Sequence, residues 1–329
     1  MSKQAFDKKL EALEALRSEP GSAATLEQVR KTLRDRGNFL VSKAAKIAAD
    51  LSLSDLIPDL LAAFDRFLLD PAKSDPQCWA KNAIAKALKN LGHRDAQVYL
   101  RGIDHMQPEP VWGGSADSAA TLRGTCALAL VDCPIDDLEI LSHLIDRLAD
   151  PEKSVRIDAA TAISQLGRTE GALVLRLKAL LGDSEPAVIG ECFTSLQSLT
   201  PRDSVPFISR FLKAADEDVR LEAAAALAQS REPMAIEILK NCWRDRLSRE
   251  LRGALVAALG GSTLPEAAEF LLAIIAGDSD ELAATALAAL AASRFRAEMR
   301  ERTAPIVEGK QSPQLTRLFE QKFGRDQCA

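Results

Sequence analysis

At 329 residues the chain has room for two globular domains or for one long repeat array. Apolar residues make up 47% and charged residues 27%, with three Trp and one Tyr, a composition of Ala- and Leu-rich helices that argues against broad disorder and against an aromatic β core. The net charge of -5 sets the molecule as a whole against polyanions, so nucleic acid is not the expected partner, although a local basic patch stays open.

The N-terminal stretch carries charges every few residues and shows no apolar run ahead of a small-residue cleavage site. No secretory signal is read there, and the cytoplasm is the expected compartment. Residues 2–18 and 22–36 read as two amphipathic helices with Phe6, Leu10, Leu13, Leu26, Val29 and Leu33 inward, so 1–37 is assigned as an N-terminal helical cap. From residue 38 the chain repeats itself. Two looser units open at Leu40 (LVSKAAKIAADLS) and Ala80 (AKNAIAKALKNLG). Residues 104–119, DHMQPEPVWGGSADSA, then stretch the spacing between the Ala80 and Leu122 anchors to 42.

Regular copies follow from Leu122 (LRGTCALALVDC), Val155, Val188, Val219, Leu251 and Leu282, at intervals of 33, 33, 31, 32 and 31 residues. The clearest begins at Asp150: an Asp-Pro turn, then Val155, Ala159, Ala160, Ile163 and Leu166 along one face of a helix. Each first helix is followed by a turn and a second amphipathic run, as at 170–183 and 203–216. About eight helical hairpins of this kind fill residues 38–310. One hairpin cannot bury its own apolar face, but stacked neighbours share a continuous core. Small residues at Ala159, Ala160, Ala223 and Ala224 let adjacent helices approach closely. The most apolar window, Phe270 to Ala276, is too short to cross a bilayer. A short helix over Pro313–Phe323 closes the array, with 311–329 assigned as C-terminal cap and tail.

With D-P-E-x-x-V-R-x-x-A-A-x-A-I-x-x-L-G standing at Asp150 to Gly167, the sequence resembles the short bacterial HEAT-like repeats, including those of the phycobilin lyase type, over residues 38–310. The tetratricopeptide W-x-x-L-G-x-x-Y and ankyrin T-P-L-H-x-A signatures are absent. The resemblance implies an all-α, ARM/HEAT-like α-solenoid, a superhelix of helical hairpins whose second helices line a concave binding surface. Members of that family serve as scaffolds, adaptors, chromophore lyases and DNA glycosylases, so the fold leaves the activity open.

Arg123, Arg156, Arg220 and Arg252 each follow the first anchor of a repeat, and Lys81 holds that place in an earlier unit. They read as a structural ladder reaching turn acids such as Asp150, Asp183 and Asp216, in preference to an anion-binding ladder. Cys126, Cys133 and Cys192 fall on frame positions where a small apolar residue is expected, so they read as core. Cys78 and Cys242 show no C-x-x-C spacing with the others, and Cys328 lies near the C-terminus, a poor place to build catalysis. The acids Asp136 and Asp137 begin a second helix and read as its cap. His93, His105 and His143 show no metalloenzyme spacing, and no phosphate loop of the Walker type occurs. Neither a metal nor any other cofactor is expected.

His143, Arg176, Arg210 and Lys240 recur about once per repeat on second helices. The helices carrying the first three, 136–149, 170–181 and 203–213, have net charges of -3, +1 and +1, which makes no continuous cationic groove. In the inserted segment, Pro108 and Pro110 stiffen the chain, Gly113 and Gly114 permit a reversal, and Trp112 sits between them with His105 and Met106 nearby. Either Trp112 folds back over the end of its own hairpin, or it projects and anchors a partner. The expected function is a non-catalytic protein-binding scaffold or adaptor that uses the concave face and this inserted loop, with a partner the sequence does not identify. The alternative is a HEAT-like enzyme of the chromophore-lyase or alkylated-base-glycosylase kind, although no glycosylase active-site residue maps onto Trp79, Trp112 or Trp243.

Overall fold

The computed structural model describes residues 3–18, 22–244 and 247–324; Cys328 and the Phe6 side chain lie outside what it describes. The helices come in the order the 3.6-residue periodicity anticipates: α1 (Lys3–Ala15), α2 (Ala23–Leu33), α3 (Asn38–Asp50), α4 (Ile57–Leu68), the single turn α5 (Pro71–Ser74), α6 (Trp79–Asn90) and α7 (Ala96–Ile103). After two short strands, β1 (Pro108–Val111) and β2 (Gly114–Asp117), come α8 (Ala120–Leu130), α9 (Asp137–Arg147) and α10 (Lys153–Leu166). The chain continues through α11 (Thr169–Leu181), α12 (Pro186–Leu199), α13 (Pro201–Ser209), α14 (Glu217–Gln229), α15 (Pro233–Trp243) and α16 (Arg249–Leu259). It ends with α17 (Pro265–Gly277), α18 (Asp280–Ala292), α19 (Arg296–Gly309) and α20 (Pro313–Phe323).

Local chemistry sets the helix starts. Ser22, Asp95, Asp136, Asp216, Ser248 and Ser279 each accept a main-chain N–H of the first turn with their side chains. Pro186, Pro201, Pro233, Pro265 and Pro313 occupy the first turn, where a missing N–H costs nothing.

Two compact units divide the chain, Met1–Leu166 and Gly167–Ala329. In the first, α3, α6, α8 and α10 pack in direct succession, and α4, α7 and α9 each lie against the first helix of the following pair. In the second, α12, α14, α16, α18 and α20 form the equivalent layer, with α11, α13, α17 and α19 packed on α12, α14, α18 and α20. This is the α-solenoid arrangement of stacked helical hairpins. Ala159, Ala160, Ala223 and Ala224 are buried at the helix contacts, as are the anchors Leu40, Ala80, Leu122, Val155, Val188 and Leu251; Val219 and Leu282 are half-buried. Of the N-terminal residues read as inward, Leu13, Val29 and Leu33 are buried and Leu10 and Leu26 half-buried.

The inserted segment departs from the expectation of an irregular loop. It is a two-stranded antiparallel ribbon with Pro108 opposite Asp117 and Val111 opposite Gly114. Pro108 and Pro110 obscure the strand in the sequence, but in a two-stranded ribbon every strand is an edge, where a missing N–H is tolerated.

Candidate functional site

An isolated two-stranded hairpin is marginal in water, so this one must be held at its base. One oxygen of Glu109, Oε1, accepts hydrogen bonds from the Gln77 N–H (2.7 Å), Gln107 Nε2 (2.6 Å) and the Ser118 hydroxyl (2.7 Å). Asp117 Oδ1 accepts the N–H groups of Gln107 (2.9 Å) and Ala119 (3.0 Å), and its other oxygen accepts from Arg123. Gln107 Nε2 also donates to the Asp75 carbonyl at 2.8 Å. Burial alone would push both carboxyls up, but these donors outweigh it and hold Glu109 and Asp117 below the usual carboxylate range.

Two buried cations complete the base. Arg123 grips Asp150 with two bonds, donates to the His105 carbonyl at 3.1 Å and pairs with Asp117. Lys81 Nζ, buried as well, donates to Asp75 at 3.0 Å and to the Phe67 carbonyl at 3.3 Å. The His105 ring lies 3.2 Å from Gln107 Oε1, and burial pulls its pKa below the ordinary imidazole value.

The tip is bare. Gly113, at φ +87°, supplies the left-handed residue of the reversal. Trp112, beyond the last strand pair, is fully exposed, and Val111 and Met106 are about half exposed. Packing of Trp112 back over its own hairpin is therefore overturned: strand pairing runs out to Val111 and Gly114, which leaves the indole where no apolar surface meets it.

The residues read as a ladder reach their turns in two ways. Arg123 takes Asp150, and Arg252 Nη1 lies 3.4 Å from Asp278, with its guanidinium over the Trp243 ring. Arg156 donates to the carbonyls of Asp150 (2.8 Å) and Pro151 (2.9 Å), and Arg220 to those of Ala214 (2.7 Å) and Ala215 (3.0 Å). Asp183 pairs with Lys178 at 2.7 Å, and Asp216 caps α14 by accepting the N–H groups of Asp218 and Val219. Main-chain carbonyls at turns thus share the work that the sequence reading gave to carboxylates alone.

Of the residues placed on second helices, Arg176 and Arg210 flank one ring, with their guanidinium carbons 4.6 Å and 5.8 Å from the Phe207 centroid. Lys240 pairs with Glu237, and His143 is half-buried on α9. Among the described residues, none of these four lines the grooves formed along the first helices. The main grooves lie along the first helices: α3, α6 and α8 in the first unit, and α12 with α14 and α16 with α18 in the second. The cause is size. Small residues bring successive first helices together, so the side chains on their free faces converge.

The first-unit groove, of about 520 Å³, holds Phe39 and Trp79 with Lys43, Lys46 and Lys86. The larger second-unit groove, about 800 Å³, is lined by Thr194, Gln197, Glu222 and Gln229. Gln197 and Gln229 repeat one bond, each donating to a main-chain carbonyl of the next first helix, Ala226 at 3.0 Å and Ala258 at 2.8 Å. Burial, aided by Asp218, raises the Glu222 carboxyl.

Sequence reading also missed a leucine stripe on α11. Leu173, Leu177, Leu180 and Leu181 are 55% to 76% exposed. Their 4, 3, 1 spacing was the available signal, masked because such spacing ordinarily marks a core face. The thiols of Cys78, Cys126, Cys133 and Cys192 are buried, and burial pushes Cys133 to about 11 and Cys78 and Cys192 to about 12. Such thiols stay protonated at neutral pH and are poor nucleophiles. Among the described residues no group of His, Cys, Asp or Glu could hold a metal ion, and no helix is long and apolar enough to cross a membrane.

Among solved structures, the chain is similar to the CpcE–CpcF complex of phycocyanin lyase from Nostoc sp. PCC7120, at 20% identity over 77% of this chain and 90% of that one, with a TM-score of 0.36. An engineered protein matches at 15% identity over 95% and 90% of the two chains with a TM-score of 0.33. Human deoxyhypusine hydroxylase matches at 20% identity over 78% and 90%, with a TM-score of 0.30. At these TM-scores the likenesses carry no argument. No curated protein matches the sequence. The family described as HEAT repeats matches residues 173–260 and 205–292, on the same repeating helices seen in the second unit. The chain therefore contains HEAT repeats, matched over residues 173–292.

Proposed function

We propose that the protein is a non-catalytic cytoplasmic scaffold or adaptor that holds a protein partner through the β1–β2 arm. The observation that carries this reading is a fully exposed Trp112 at the end of a ribbon whose base is hydrogen-bonded around the buried Gln107 and Arg123. A large indole held out in water is costly unless something covers it, and aromatic anchors of this kind dominate binding energy at interfaces. Because the base is ordered before the partner arrives, little ordering entropy is left to lose on binding. Met106 adds apolar surface beside the arm, and His105 belongs to its base. His143, Arg176, Arg210 and Lys240, each on a second helix, are assigned as further polar contacts for a protein partner. The exposed leucines of α11 offer a second apolar surface of the kind that proteins bury in one another.

Affinity purification from the native host, with wild-type protein and Trp112→Ala side by side, tests the arm. A partner recovered in stoichiometric amount by the wild type and lost by the variant is the expected result. Equal recovery by the two proteins removes the arm from the interface.

A further inference from the structure

The groove along α3, α6 and α8 combines an aromatic pair with three lysines. Phe39 and Trp79 hold the same place in successive repeats, each one residue before its anchor, Leu40 and Ala80. Their rings meet edge to face at 5.5 Å. Asn38 fixes the pair by donating to both Asp75 Oδ1 (3.0 Å) and the Pro76 carbonyl (2.9 Å), which ties the start of α3 to the turn that leads into α6. Trp79 still leaves 43% of its surface open to water.

Charge is one-sided around these rings. Lys46 and Lys86, again equivalent in their repeats, are exposed, and Lys43 Nζ lies 5.3 Å from the centre of the Phe39 ring. The carboxylate in the lining, Asp50, is already engaged by Arg17 at 2.6 Å. At the floor, the side-chain oxygen of Asn82 is buried with no hydrogen-bond partner among the described residues. A buried acceptor takes a hydrogen bond from water or from a donor that a ligand brings.

We infer that this groove binds an acidic peptide segment carrying an aromatic side chain. Carboxylates answer the three ammonium groups, the aromatic side chain packs on Phe39 and Trp79, and a main-chain N–H satisfies Asn82. The net charge of -5 opposes the approach of a long polyanion. The inference rests on residues apart from the β1–β2 arm and stands independently of it.

Selection of a random-peptide library on the full-length protein is the test, followed by titration of the enriched synthetic peptides. Enrichment in Asp and Glu together with an aromatic residue is expected, with affinity that falls as salt rises. The double variant Lys46→Glu/Lys86→Glu and the single variant Trp79→Ala should each weaken binding about tenfold or more. Lys46 and Lys86 are exposed, so that double variant keeps its melting temperature even where Trp79→Ala does not. Trp112→Ala leaves peptide affinity unchanged, which separates this site from the arm. Selected peptides without acidic residues, equal affinity for the double variant, or tighter binding of an oligodeoxythymidylate than of any selected peptide would overturn the inference.

Discussion

Arg123 and Asp150 meet through two parallel hydrogen bonds, Nε to Oδ2 at 2.8 Å and Nη2 to Oδ1 at 2.9 Å, with both side chains withdrawn from water. The same guanidinium holds Asp117 at the end of β2 and the His105 carbonyl before β1, so one residue joins the ribbon to the turn that precedes α10.

Arg123→Lys keeps the charge but loses the planar fork that reaches two carboxylates at once. Arg123→Met removes the cation of a buried pair and leaves uncompensated charge, so a loss on the order of 3 kcal/mol is expected from urea unfolding, with a smaller loss for Arg123→Lys. A loss below about 0.5 kcal/mol for both variants would show that the network does not support the fold.

Trp112→Ala should leave stability within about 0.5 kcal/mol of wild type, because the indole touches nothing that folding buries. Thermal melts of the two proteins check this directly. A clear drop in melting temperature would mean that the indole packs on the protein in solution and would withdraw the arm as a free anchor.

Ala159 and Ala224 lie at 0% and 1% exposure where first helices press on one another. Replacing either with Trp inserts a ring into a contact that has no space for one, at a cost of about 1–3 kcal/mol and sometimes more. Ala225, the next residue in α14, lines the second-unit groove and provides the contrast. Ala225→Trp should be tolerated, and equal destabilisation of the two α14 variants would put the inward face of that helix in doubt.

These alanines also show what the sequence makes legible. A buried alanine recurring with its apolar neighbours every 31 to 33 residues announces both the helix and the face it buries. The sidedness of the groove is not legible in that way, since it depends on how closely successive helices approach, and no single repeat contains that information. The Phe39 and Trp79 pair is separated by 40 residues and joins only when two repeats stack; an aromatic residue just before each anchor was the signal available. The strands β1 and β2 escaped because proline and glycine count against strand locally, whereas here hydrogen bonds from Gln77 to Glu109 and from Arg123 to Asp117 decide the matter.

Acid should release the arm. Glu109, Asp117 and His105 all sit below their ordinary values of 4.5, 3.8 and 6.5 in the folded chain. A group whose folded pKa is depressed stabilises the fold above its unfolded value, and that contribution fades as pH falls through the folded value. His105 begins to lose its share below 6.5, because protonation must charge a ring withdrawn from water, with the charges of Lys81 and Arg123 adding to the cost. Glu109 and Asp117 follow below 4.5 and 3.8, when protonation weakens their bonds to Ser118, Gln107, Gln77, Ala119 and Arg123. Hydrogen exchange of the amides from 107 to 119, expressed as protection relative to the intrinsic rate at each pH, reads this directly. Protection should hold near neutrality, decline slightly toward pH 5 and fall steeply below about pH 4, while helices remote from the network change less. Asp117→Asn keeps one acceptor oxygen but loses the charge facing Arg123, so its arm should be less protected already at neutral pH and lose less on acidification. Protection that stays flat down to about pH 3 in the wild type would mean that Glu109 and Asp117 do not hold the ribbon in place.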